Sequence, residues 1–228
     1  VLIVGASPFS ASLAAKLKEM EMPVMVADAS WRRLKPVRLA NVPTYYGEIL
    51  SEVTEHHLDL NRFGYLLALG GNESHNALVA TDLAPEMGRA AIFQVNARGK
   101  DEDDRKALSY TLQGLTFLHS GAPLDELVRR HYSGWIFQRT KISEEYPPEQ
   151  YKKDLGQEHE IILSLRKDTI LFASPEAPVK PEIGDILLAY VPKPPDVKPD
   201  KEKAEKAGAA ESARKPGPAE KGEKPAAS

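Results

Sequence analysis

The chain predicts a doubly wound parallel α/β sheet followed by a smaller α+β region, and three observations predict it. Short apolar runs recur through the first hundred residues, and helix-compatible stretches separate them. After about Lys100 the pattern changes to β-prone segments split by prolines and glycines. Strands buried on both faces read as continuous apolar runs, and strand–helix alternation implies a right-handed parallel sheet.

Taken in order, the strand candidates of the first region are residues 1–4, 24–27, 43–46, 65–69 and 91–95. Residues 10–21 place Leu13, Leu17 and Met20 on one helical face, 31–39 form a basic stretch, and 76–87 are rich in Ala and Leu. Beyond the acidic run Asp101–Asp104, read as a loop, residues 124–132 suit one short helix. The segments 135–142, 161–165, 169–172 and 185–191 read as strands, with turn signals at Pro147-Pro148 and 181–184. After Pro192 the only branched aliphatic residue is Val197 and there is no aromatic, so the last stretch cannot bury enough apolar surface to order itself. The expected organisation is 1–100, an α/β domain; 101–192, an α+β domain; and 193–228, a disordered tail.

The net charge of −3 gives no reason to expect nucleic acid, which favours a basic face. With no cysteine, disulfides and thiolate metal sites are excluded. No apolar run approaches the ~18–20 residues of a membrane span, and no signal-peptide pattern opens the chain. The sequence starts inside a core strand at Val1, so a piece of a longer protein is expected, with material on the N-terminal side.

In such a sheet, ligands bind beyond the carboxyl ends of the strands where the strand order reverses. The first loop there is Gly5-Ala6-Ser7-Pro8-Phe9-Ser10, between a strand and a helix. That is the context of a Rossmann-type dinucleotide fingerprint, with Ser7 and Ser10 where the second and third glycines normally stand. Two readings compete. Ser7 as N-cap with Pro8 at the first helical position starts a helix; alternatively the N–H groups of Phe9 and Ser10 hold a phosphate. Asp28 ends the second strand, where an acidic residue accepts from ribose hydroxyls and favours a free 2′-OH; the bland alternative is a turn residue. Ala29 follows it, and Arg33, with Arg32 beside it, is a candidate to stack on adenine or pair with phosphate; the bland alternative is a solvated basic residue. Gly47-Glu48 after the third strand and Leu69-Gly70 with Asn72 after the fourth point at the same crevice, with Asn72 also a helix cap. His75 and Asn76, in the first turn of the next helix, face either the crevice or solvent.

These residues, in this order, resemble a known family. Val1–Gly5, the strand ending at Asp28, Tyr46-Gly47-Glu48-Ile49, and Gly71-Asn72-Glu73-Ser74-His75-Asn76-Ala77-Leu78 are similar to the regulator-of-potassium-conductance (RCK) fold, also called the TrkA N-terminal or KTN domain. Gly88-Arg89-Ala90, Thr140 to Ser143 with Tyr146, and Pro181-Glu182-Ile183-Gly184-Asp185-Ile186-Leu187-Leu188-Ala189 resemble the cytoplasmic domain of bacterial sodium/proton antiporters of the first monovalent cation:proton antiporter family. The last stretch is like the closing strand of a TrkA C-terminal type domain. The resemblance implies a nucleotide-sensing regulatory domain on the cytoplasmic side of the inner membrane. It would be carried by the transmembrane antiporter domain of the same polypeptide, act as a homodimer, and gate transport on binding AMP, ATP, NAD or NADH. By position, Gly5 to Ser10, Asp28 and Gly47-Glu48 would line the pocket, with Glu48 in place of the usual Asp.

Two other classes compete. An NAD-dependent oxidoreductase needs a general acid or base beside the cofactor, and none of the six histidines stands in a dehydrogenase motif. No catalytic residue is therefore assigned. Glu52 and His56 share a helix face, but two ligands are a minority of a usual metal shell, so no metal site is assigned. The other class is a structural coupling domain without ligand, in which Ser7-Pro8 is only a helix cap.

Overall fold

The computed structural model describes residues 1–95, 113–156 and 158–193. The acidic stretch 101–104 and the residues after Lys193, expected as a loop and a disordered tail, lie outside the described residues. Six strands, β1 (Leu2–Val4), β2 (Met25–Asp28), β3 (Thr44–Tyr46), β4 (Leu66–Ala68), β5 (Ile92–Gln94) and β6 (Leu115–Thr116), form a parallel sheet in the order β3-β2-β1-β4-β5-β6. The strand order reverses between β1 and β4, the switch point of a Rossmann-type sheet. The first five strands fall within the predicted runs, Asp28 of β2 excepted. The sixth comes from beyond residue 100, so the sheet extends past the boundary expected there.

Side chains alternate across a strand, and that alternation sorts the core. Ile3, Val26, Leu67 and Phe93 face one side and pack with Leu13 and Leu17 of α1 (Pro8–Glu19). Leu2, Ala27, Leu66 and Ile92 face the other and meet Val79 and Ala80 of α4 (Glu73–Asp82). Helices α2 (Lys35–Leu39), α3 (Glu52–His57) and α5 (Ala84–Met87) complete the crossovers. Glu52 and His56 do share α3; among the described residues no three His, Cys, Asp or Glu side chains gather as a metal shell.

After α6 (Leu124–Tyr132), a second, antiparallel sheet is built from β7 (Trp135–Lys141), β8 (Glu160–Arg166), β9 (Thr169–Phe172) and β10 (Ile186–Pro192). Its order is β7-β10-β8-β9. Helix α7 (Pro148–Asp154) starts at the second of the two prolines read as a turn, a position where proline's missing N–H costs nothing. Phe9 of α1 packs on Phe137 and Tyr190 with ring centroids 5.5 and 5.2 Å away. Phe172 meets Phe93 of the first sheet at 5.3 Å. Val1–Lys193 is accordingly one compact unit with a core common to both sheets. No helix among the described residues is long and apolar enough to cross a membrane.

Candidate functional site

A cavity of about 630 Å³ opens at the carboxyl ends of β1 to β4, above the switch point. Ligand pockets commonly measure ~300–1,000 Å³, and this is where such a sheet places them. Its floor depends on two glycines. Gly5 has φ +105°, and a Cβ there would stand 2.6 Å from the Gly70 nitrogen. The β1 and β4 ends therefore approach only as bare backbone. A Cβ on Gly70 would stand 2.7 Å from Asn76 Oδ1. The buried Asn76 amide clamps that loop, accepting from Gly70 N–H at 3.0 Å and donating to Gly70 O at 2.8 Å. Asn72 caps α4 by accepting from His75 N–H at 3.1 Å.

Of the predicted residues, Gly5, Ala6, Ser7, Pro8, Asp28, Ala29, Arg33, Gly47, Glu48, Leu69, Gly70 and Asn72 all line the cavity. Phe9 and Ser10 do not. Phe9 turns into the aromatic core, and Ser10 is fully buried behind the loop. Of the two readings of Ser7-Pro8, the helix start is the one observed. Ser7 Oγ accepts from Ser10 N–H at 3.1 Å, and Ser10 Oγ accepts from Ser7 N–H at 2.7 Å, a reciprocal cap. The Ser10 N–H expected for phosphate is thus taken, which leaves Phe9's as the one of that pair not engaged.

Asp28 lies in the wall as expected, but its carboxylate is already filled. Its side chain is 3% exposed. Ala6 N–H donates to Oδ2 at 2.7 Å and Ser30 N–H to Oδ1 at 2.6 Å. Arg33 adds a fork, with Nη2 donating to Oδ1 at 2.9 Å and Nε lying 3.1 Å from both oxygens. The expectation that Asp28 stands ready for a ribose is corrected on this point: the carboxylate faces its own chain. Ser30 serves the Asp28 turn, while α2 begins later, at Lys35. The hydrogen bond to Asp28 is the main reason the Arg33 guanidinium holds its proton even more firmly than usual.

Across the mouth, His75 Nε2 and Glu48 Oε1 stand 2.9 Å apart, joining the loop after β3 to the start of α4. His75 therefore faces the crevice, while Asn76 turns inward. Arg32, considered beside Arg33, lines the cavity too, as do Pro36, Ile49 and Leu124, which the sequence did not assign to it. Leu124 arrives from α6, far along the chain, and no local signal marks it.

Compared with known proteins, residues 1–113 match the TrkA-N domain family. That match supports a TrkA-N-like domain over these residues, and TrkA-N domains generally bind NAD(H)-type nucleotides. No curated protein matches the chain.

Proposed function

We propose that this chain, with a TrkA-N domain over residues 1–113, is the cytoplasmic nucleotide-sensing regulatory domain of a cation (sodium or potassium)/proton antiporter. In this reading it is a sensor and not a catalyst. The transmembrane part belongs to the same polypeptide and lies at the inner membrane, and two copies pair so that ligand-dependent rearrangement of the dimer gates transport. One observation carries the reading: an open cavity at the switch point, floored by backbone that Gly5 and Gly70 bring together. The similarity of 181–189 to the closing strand of TrkA C-terminal domains supports the antiporter context.

Mass action supplies the test. A ligand at ~100 times its dissociation constant stabilises a fold by about 2.7 kcal/mol. Thermal melts with millimolar AMP, ATP, NAD and NADH are expected to show a clear rise with at least one. No rise with any adenine nucleotide overturns the reading.

A second reading has a specific observation behind it. Because Asp28 is saturated by its own chain and Glu48 is paired with His75, the same geometry suits a coupling domain that works without ligand. Such a domain leaves its melting temperature unchanged with every nucleotide in the panel.

A further inference from the structure

The loop after β1 has used up its donors. Gly5 N–H bonds Ala27 O in the sheet, Ala6 N–H is on Asp28, and Ser7 N–H is on Ser10 Oγ. Pro8 has no N–H, and Ser10 N–H is on Ser7 Oγ. A phosphate entering here meets one N–H from this stretch, that of Phe9, and needs other partners. Asp28 is equally spent. A carboxylate offers roughly four lone-pair sites, and Ala6, Ser30 and the two Arg33 nitrogens occupy them. A ribose diol has to dislodge a forked, charge-assisted contact to reach it.

What the mouth offers instead is positive charge. Arg33 gives only its Nε and Nη2 to Asp28, so about three of a guanidinium's five N–H bonds stay uncommitted. Its side chain is 62% exposed. Arg32 beside it lines the same cavity, and its side chain makes no hydrogen bond or ion pair among the described residues. Both carboxylates of the wall, Asp28 and Glu48, are already paired, one with Arg33 and one with His75. Arg32 is therefore an arginine at this rim whose side chain neither wall carboxylate engages.

In dinucleotide folds the residue at the end of the second strand accepts the ribose diol, or a nearby arginine takes a 2′-phosphate. Both are present here, and the arginine has consumed the acid. We propose that the cavity selects adenine nucleotides bearing a phosphate on the ribose, of the 2′-phosphate class, recognised by Arg32 and Arg33. This rests on the nucleotide-binding reading above and reverses the free-diol preference that Asp28 implies in sequence. Asp28 acts as a positioning residue that holds the Arg33 fork from behind.

Calorimetric titration of the purified chain with five probes tests it: AMP, ADP, adenosine 2′,5′-bisphosphate, NAD and NADP. ADP and the bisphosphate carry the same number of phosphoryl groups in different places, which separates position from charge. Charge-assisted contacts of this kind lead us to expect the bisphosphate to bind about tenfold tighter than ADP, and NADP about tenfold tighter than NAD. Arg33→Ala is expected to erase both ratios and, by freeing Asp28 for the diol, to tighten NAD while leaving the melting temperature near that of the native chain. NAD binding as tightly as NADP in the native chain overturns the inference and leaves nucleotide binding standing. Binding of none of the five removes both.

Discussion

Arg33 meets Asp28 at the rim of the cavity, and Arg166 meets Asp185 at the turn into β10. In both, Nε and Nη2 fork onto a carboxylate at about 3 Å, and in both the aspartate is 2–3% exposed. The arginines differ. Arg166 is 32% exposed and is engaged further, donating through Nη1 to Glu182 at 2.7 Å and through Nη2 to Lys180 O at 3.0 Å. Arg33 is 62% exposed, and its side chain has no second partner among the described residues. The same fork is thus a closed knot in one place and a half-open hand in the other. The first holds a turn. The second has donors left for something that comes and goes.

The largest effect is expected where the knot is closed. In Asp185→Ala, Arg166 loses its fork and Glu182 N–H loses its 3.0 Å acceptor. Breaking a sheltered pair by removing one partner is costly, and with Arg166 partly wet we expect a loss of about 2–3 kcal/mol in urea unfolding. A loss under about 0.5 kcal/mol, the range of an ordinary surface change, means the knot is ornamental. Acid titration probes the same pair. Burial alone would raise the Asp185 pKa, but hydrogen bonds from Arg166 and from Glu182 N–H outweigh it and hold it below its ordinary 3.8. A depressed carboxylate contributes stability that is fully present above the unfolded value and is lost as pH falls through the folded one. Native protein should therefore lose stability more steeply below about pH 4 than Asp185→Asn.

That contrast also marks what the sequence could reveal. Four of the first five strands are legible as apolar runs buried on both faces, edge strand β3 being only partly covered, and α6 spans the predicted 124–132. Two-residue β6 and proline-started α7 were missed, being too short for any periodicity and opened by a turn signal, respectively. The cavity wall was legible wherever a strand end supplied it. What stayed hidden was the use of each polar group. Asp28 looks like a ribose acceptor by position, yet its four contacts come from Ala6, Ser30 and Arg33, and only folding reveals that these converge on it. Phe9 has no helical partner in its own loop to betray that it belongs to the aromatic seam with Tyr190, contributed by the last strand.

A middle effect is expected at the cavity. Asp28→Ala strips acceptors from Ala6 N–H and Ser30 N–H, but water can enter from the open side and replace part of what is lost. A destabilisation of about 1–2 kcal/mol is expected, smaller than that of Asp185→Ala in the same assay. If the two variants lose equally, the difference between knot and rim does not exist in solution.

The smallest effect on stability, and the most telling one, belongs to Arg33→Ala. The pair is open to solvent on its arginine side, where water and salt screen it, and a pair so screened contributes roughly 0–1 kcal/mol. The Asp28 carboxylate keeps Ala6 N–H and Ser30 N–H after the arginine is gone. The urea midpoint should therefore move little, by about 0.5 kcal/mol or less, while raising the ionic strength should erase even that. A loss as large as that of Asp28→Ala makes Arg33 a structural member of the loop, as Arg166 is of its turn. A near-neutral result means that the fold does not require the fork, and that Arg33 can release or share Asp28 when an anion enters.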